Sequence, residues 1–452
     1  MKVQCYIKRS FILVSLIGWM LTFFFIAKIL IKNIDRSWPD FSQVILNETG
    51  VIDANSQWRK LGPETYVFTA YMDDRRRSSV VITVMGFGEK SESPLYGTLV
   101  LRNGTKIPLG KYRERRILNP YGLYNRKRLG PYAYLWPFQP GIFAASCLKS
   151  IIMKQSTLTT GTIQTEIAIT FPVKTRKLFG VCIDSPLFGS IKARTIIENI
   201  EINKALGAEW FTIYIYTINR TSMQVLYDYA NDGTVEAVQK WGKGLPADSV
   251  YYFGQTLSIN DCAYRNMYRV KYLVYTDVDE FVVPKKSIGW LDMMKEIDSF
   301  KYGTYLFRNA FFFESTNKNG LEKRAASVQS TPNVWCGGKL PKFLTFVVRS
   351  WNVYSPRLRS KYLIKPVHPS IVGVHHVFQQ LKYERGLILQ AKTYAVPEDV
   401  ALLHHYRTFL QGELPAGEYS SNHYNIPDDS ALVYKENIVV ELEKRVCTYR
   451  PH

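Results

Sequence analysis

Two aspartates one residue apart, Asp277 and Asp279, follow directly on the apolar run Tyr272-Leu273-Val274-Tyr275. Carboxylates at i and i+2 on a loop can converge on one cation, and Mg2+ or Mn2+ held that way keeps positions open for phosphate oxygens. A cation there would neutralise charge developing on a departing diphosphate. The bland alternative is a solvated surface turn. The buried-type run before the pair and Glu280-Phe281-Val282-Val283-Pro284 after it favour the metal reading.

Four of the seven histidines stand in doublets, His375-His376 and His404-His405. A neutral imidazole can complete a metal site begun by carboxylates, although a histidine pair is also an ordinary core or surface feature. If a sugar is transferred with inversion, a carboxylate must take the acceptor hydroxyl proton. Glu314, in Phe311-Phe312-Phe313-Glu314-Ser315, is the predicted base, because apolar surroundings raise a carboxyl pKa. Glu280 and Asp399 are its rivals. Lys174, Arg176 and Lys177, and the pair Lys361 and Lys365, could each meet phosphate or simply be solvated.

These residues need a scaffold. Leu178 to Ile183 reads as a buried strand, Ile191 to Leu206 as a helix closed by Gly207, and Trp210 to Tyr216 as the next strand. A second helix within Tyr251 to Tyr268 then leads into the acidic stretch. This is the β-α-β-α-β alternation of a mostly parallel sheet, which binds ligands at its C-terminal strand ends. Ile288 to Ile297 and Tyr434 to Arg445 read as further helices, and Gly303 to Phe307 and Ala310 to Phe313 as strands. Residues 62–172 are different. Alternating runs such as Ser79 to Met85 and Ile163 to Phe171 predict a β-rich module, with the basic cluster Lys111 to Arg128 on solvated loops.

The N-terminus has the pattern of a signal-anchor. Lys2, Lys8 and Arg9 precede an apolar run, so residues 1–9 are expected to be a cytosolic tail and 10–31 a transmembrane helix of about the 20 residues a bilayer needs. Residues 32–61 read as a stem, and 173–452 as the catalytic domain. Three sequons, at Asn47, Asn103 and Asn219, and six cysteines suit a lumenal location. No CxxC pair suggests zinc, and the disulfide pairing is not readable. The net charge of +20 suits either a solvated basic surface or attraction to acidic substrates and membranes. A chain routed out of the cytosol does not meet nucleic acid.

Taken in order, several stretches resemble glycosyltransferase family 92. They are Cys182 to Gly189, Glu198-Asn199-Ile200 through Tyr214-Ile215-Tyr216, Asn260-Asp261-Cys262, Tyr275 to Phe281, Lys361 to Pro366, Gly373-Val374-His375 and His405-Tyr406-Arg407. The resemblance implies an α/β, GT-A-like, mostly parallel sheet flanked by helices, preceded by the β-rich module and the single transmembrane helix. It also implies a type II Golgi enzyme with a lumenal domain, inverting transfer and a divalent cation, Mn2+ by preference. Family members move galactose from UDP-galactose onto glycans, including the fucose of N-glycans. By the same resemblance Asp277 and Asp279 fall on the D-x-D element, and His405 joins them as the third metal ligand. Asp184, Lys361, His375 and Arg407 are then expected around the donor nucleotide. Two alternatives remain at this stage. One is a haloacid-dehalogenase-like phosphohydrolase, in which Asp277 would be the nucleophile, although Glu280 stands where that class has Thr or Val. The other is a non-catalytic, membrane-anchored lectin.

Overall fold

A computed structural model describes residues 56–449, except 63, 77–78, 91–93, 121–126, 140–146, 158–160, 172–176, 314–339, 382–389 and 408–424. The expected tail, transmembrane helix and most of the stem lie outside the described residues, as do Asn47, Lys174, Arg176 and Glu314. Among the described residues no helix is long and apolar enough to cross a membrane.

The chain begins with a nine-stranded sheet. Its strands are β1 (Arg59–Gly62), β2 (Thr65–Arg76), β3 (Ser79–Gly88), β4 (Leu95–Leu101), β5 (Lys106–Lys111), β6 (Glu114–Ile117), β7 (Gly130–Phe138), β8 (Leu148–Thr157) and β9 (Gly161–Thr170). They run in the order β5-β4-β8-β9-β2-β3-β7-β6, with β1 on β2. Part of the basic cluster expected on loops is therefore the edge strand β6. The sequon at Asn103 sits on the exposed β4–β5 turn.

The second part holds β10 (Lys177–Ile183), α1 (Ala193–Leu206), β11 (Trp210–Tyr214), α2 (Arg220–Asn231), β12 (Val235–Val238), α3 (Gln255–Arg265) and β13 (Val270–Thr276). Beyond these come β14 (Glu280–Pro284), α4 (Gly289–Ile297), β15 (Tyr302–Phe307), β16 (Asn309–Phe313), β17 (Val348–Ser350) and β18 (Lys361–Ile364). The chain closes with β19 (Pro369–Val372), β20 (Val377–Gln380), β21 (Lys392–Ala395), β22 (Ala401–Tyr406), β23 (Asn425–Pro427) and α5 (Lys435–Thr448). Gly207, at φ 125°, ends α1 as its sequence suggested.

The expected helix-flanked, mostly parallel sheet is not what the chain builds. β12, β11, β10 and β13 are parallel, but β18 runs antiparallel to both β13 and β15 in a mixed seven-stranded sheet. A five-stranded sheet, β14-β22-β16-β17-β23, and the β19–β20 pair stand beside it, so strands dominate the fold. The pleat explains the covering of the central sheet. Tyr272 and Val274 enter one core with α1, α2, α4 and α5, whereas Leu273 and Tyr275 enter another. That second core is closed by α3 together with Phe68, Tyr71, Met85 and Phe87 of the N-terminal sheet. A β-module therefore covers much of the face where helices were expected. Gly180 lets β10 approach β13, because a Cβ there would stand 2.9 Å from Val270 Cγ1.

Asp261 ties the two parts together. Its buried carboxylate accepts hydrogen bonds from Thr69 Oγ1 (2.5 Å), Tyr71 OH (2.8 Å), Tyr214 OH (2.6 Å) and Arg265 Nε (2.6 Å). Its neighbour Asn260 exchanges two hydrogen bonds with the Val372 backbone, and Cys262 forms a disulfide with Cys182 on β10. The Asn260-Asp261-Cys262 stretch thus fastens α3 to four strands, β2, β10, β11 and β19.

Candidate active site

β13 delivers the acidic turn at its C-terminal end, on the parallel side of the sheet, where α/β folds bind ligands. Asp277, Val278 and Asp279 occupy the turn, and β14 then leaves for the second sheet. Asn199 of α1 donates to the Val278 carbonyl (3.1 Å), and the Tyr406 amide donates to that of Asp279 (3.0 Å). A cavity of about 470 Å³ opens here, lined by Asp277, Asp279, His375, His405, Arg407 and Tyr252 among others.

Register settles the histidine doublets. β22 pairs antiparallel with β14 so that His405 faces Glu280 and His404 faces Phe281. Successive strand residues point to opposite faces. His405 therefore reaches the pocket, with Nδ1 3.2 Å from Glu280 Oε1 and Nε2 3.5 Å from Asp279 Oδ2. His404 is buried and stacks on Phe312 at 3.9 Å between centroids. His375 lines the cavity with Nδ1 3.2 Å from the Ser360 carbonyl. Burial, then the charge of Lys361, pushes its imidazole down to about 4, so it is neutral at physiological pH.

Lys361, the first residue of β18, is the centre of the charge arrangement. Its fully buried ammonium contacts Asp184, sits 2.8 Å from Asp277 Oδ2 and lies 3.5 Å from Glu280 Oε2. Burial pushes the Asp184 carboxyl up to about 7 against the pull of Lys361, and Asp184 Oδ1 has no hydrogen-bond partner among the described residues. Burial works the same way on Asp277, but there Lys361 and the Ser185 hydroxyl (3.0 Å) win and hold it below the usual carboxylate range. Glu280 is raised, by burial first.

The predicted residues are thus only partly brought together. Asp279, His405, His375, Arg407 and Asp277 line one cavity, with Lys361, Asp184 and Glu280 buried beneath it. Asp399 is elsewhere, exposed and paired with Lys286 at 2.5 Å. Lys365 pairs with Asp298 at 2.6 Å, and Lys177 packs over Trp210. Sequence reading passed over Ser185, Gln255 and the aromatic residues Phe188, Tyr251 and Tyr252. The run Tyr251-Tyr252-Phe253 was the only signal for the last group.

Among the described residues no three His, Cys, Asp or Glu side chains converge as a ready metal cage. The expected triad is divided, since Lys361 already neutralises Asp277. Asp279 and His405 remain, 3.5 Å apart, a separation that two adjacent ligands of one small cation can span. That donor set fits Mg2+ or Mn2+, which take one or two protein ligands and complete their shell with water and substrate phosphates.

An acidic cleft thus lies at the ends of the parallel strands, with a buried lysine beneath it. The family model described as Glycosyltransferase family 92 matches residues 177–448. The chain belongs to that family. A Caenorhabditis elegans protein named β-1,4-galactosyltransferase galt-1 is 33% identical over 107 residues, 23% of this chain and 25% of the relative. A C. elegans glycosyltransferase family 92 protein, C33H5.2, is 24% identical over 29% of this chain and 28% of its own length. The chain spans about a quarter of each of these relatives. Among solved structures, a Lactobacillus rhamnosus β-glucuronidase covers 48% of this chain and 35% of its own at 12% identity, with a TM-score of 0.15 that supports no argument.

Proposed function

We propose that this chain is an inverting glycosyltransferase that moves a hexose, galactose from UDP-galactose, onto a glycan acceptor, with fucose of an N-glycan as the favoured acceptor. The observation that carries the reading is the paired Asp279 and His405 facing a cavity whose other lining carboxylate, Asp277, is already paired with Lys361. Family membership and the name of the galactosyltransferase relative support the donor. Bound between Asp279 and His405, Mn2+ would supply positive charge to the departing diphosphate. Lys361 holds Asp277 below the usual carboxylate range and offsets part of the negative charge that would otherwise repel a diphosphate. Neutral His375 and cationic Arg407 line the same space.

In the reaction the anomeric carbon–phosphate oxygen bond breaks and UDP takes the electron pair. The acceptor oxygen bonds to the anomeric carbon from the opposite face. Its proton goes to a carboxylate, which we assign to Glu314, the residue directly after β16. A phosphohydrolase would need Asp277 as its nucleophile, and the family match favours transfer instead. The Cys182–Cys262 disulfide supports an oxidising compartment such as the Golgi lumen.

The test is UDP release across a panel of sugar nucleotides with Mn2+ or EDTA. UDP-galactose turnover should vanish in EDTA and fall at least ~100-fold in Asp279→Asn and His405→Ala, in line with the loss of a charge-stabilising group. Full activity in EDTA refutes the cation, and no turnover of any sugar nucleotide refutes transfer.

A further inference from the structure

At the mouth of the cavity the chain does something costly. Tyr252 (φ 43°), Phe253 (φ 54°) and Gly254 (φ 83°) are three successive residues in the left-handed region. Among the described residues only four non-glycines have positive φ, and two of them are here. L-residues adopt that region against steric resistance, and such strain persists only where surrounding structure enforces it.

The enforcing structure is visible. Trp241 Nε1 donates to the Phe253 carbonyl (2.9 Å), and Trp58 Nε1 donates to the Trp241 carbonyl (2.6 Å). A Cβ on Gly254 would stand 3.0 Å from the Trp241 ring and 3.2 Å from Phe87 of β3. Trp58 packs on both Phe68 of β2 and Phe87 of β3, at 4.8 and 5.5 Å between centroids. The N-terminal sheet is thus part of the brace.

The turn presents rings to the cavity. Tyr252 is 44% exposed although Phe188 packs edge-on against it at 5.7 Å. Phe188 rests in turn on Phe253 at 4.3 Å, which rests on Tyr216 at 4.6 Å. Tyr252, Phe188 and Tyr251 line the same cavity as Asp277 and Asp279. Burial and then the Asp277 carboxylate raise the Tyr252 hydroxyl pKa, with Asp279 also contributing.

We propose that Tyr252, held by this braced left-handed turn, is a stacking platform for the pyranose ring of the acceptor, a subsite that rests on the transferase reading above. An open aromatic face binds the C–H face of a sugar ring, and the polar tip of a tyrosine tolerates the surrounding water. The occupant follows from position. A nucleobase is held a ribose away from its own diphosphate, whereas an acceptor must meet the anomeric carbon beside the diphosphate. Tyr252 shares its space with the two aspartates at that point. The N-terminal sheet thereby positions an acceptor subsite on the family domain.

The experiment uses the full chain. Saturation-transfer NMR is recorded for methyl α-L-fucopyranoside, methyl β-D-galactopyranoside and methyl N-acetyl-β-D-glucosaminide in the presence of UDP and Mn2+. UDP affinity is measured separately by calorimetry. Tyr252→Ala should weaken the best-bound glycoside roughly tenfold, as for loss of one aromatic stacking partner, and leave the UDP Kd within twofold. Tyr252→Phe should bind like the parent, because the ring and not the hydroxyl carries the contact. Glycoside binding that is absent in the parent, or unchanged in Tyr252→Ala, overturns the proposal. So does a parallel loss of UDP affinity, which would make Tyr252 a nucleobase platform. Glycoside binding that depends on Tyr252 without any turnover of UDP-galactose would uphold the platform while refuting the transfer reading.

Discussion

Replacing Lys361 by Met keeps the volume of the buried side chain and removes only its charge. Three carboxylates then lose their shared counter-ion: Asp184, Asp277 at 2.8 Å and Glu280 at 3.5 Å. Breaking a buried ion pair by removing one partner costs about 3–5 kcal/mol, chiefly from the charge left behind. Asp184 limits the loss at low pH, because its carboxyl already stands near 7 in the parent. Without Lys361 it is pushed higher still. A carboxyl whose folded pKa exceeds its unfolded value gives stability that is complete below the unfolded pKa, near 4, and is lost as pH rises through the folded pKa. Above pH 7 the parent's loss levels off, because Asp184 ionises there beside Lys361, whereas the variant's Asp184, with no partner for the charge, goes on losing stability as pH rises. The deficit should therefore be about 3 kcal/mol at pH 5.5, near the lower bound, and about 5 kcal/mol at pH 8.5. Urea denaturation followed by tryptophan fluorescence at the two pH values measures it. Adding Asp184→Asn should recover a substantial part of the loss at pH 8.5, since it removes one stranded charge. A deficit below ~1 kcal/mol, or one independent of pH, would refute Lys361 as the charge centre of the site.

Asp261→Ala strands four donors inside the junction between the N-terminal sheet and α3. It should cost about 3–5 kcal/mol, and limited proteolysis should release fragments of the N-terminal module before the family domain is cut. Acid should destabilise the chain through His368, which burial and then Lys365 push down to about 4. Its neutral form is favoured by folding, so its contribution is whole above pH 6.5 and is lost between 6.5 and 4. Thermal melts should fall across that window, and His368→Gln should flatten part of the slope.

The sequence by itself determined the local pieces. The apolar run of β13, the Gly207 stop of α1 and the placing of Asp277 and Asp279 just past a buried strand are short-range patterns. They are set by residues two to four positions apart, so they can be read without partners. Through the family resemblance it also singled out His375 and His405 within their doublets. Which histidine would reach the site was decided by register: Glu280 opposite His405 sends His404 to the core.

Tertiary structure alone brought Lys361 to Asp184, 177 residues away, and to Asp277, 84 residues away. Nothing local in Lys361-Tyr362-Leu363-Ile364 says that this short strand enters the sheet antiparallel beside β13. Nor could periodicity show that one face of the central sheet is closed largely by a β-module. An apolar face reads alike whether a helix or a sheet covers it. The Cys182–Cys262 pair, the Asp261 junction and the braced Tyr252 turn have the same character. Each depends on contacts between distant segments, and such contacts exist only once the packing that aligns them is complete.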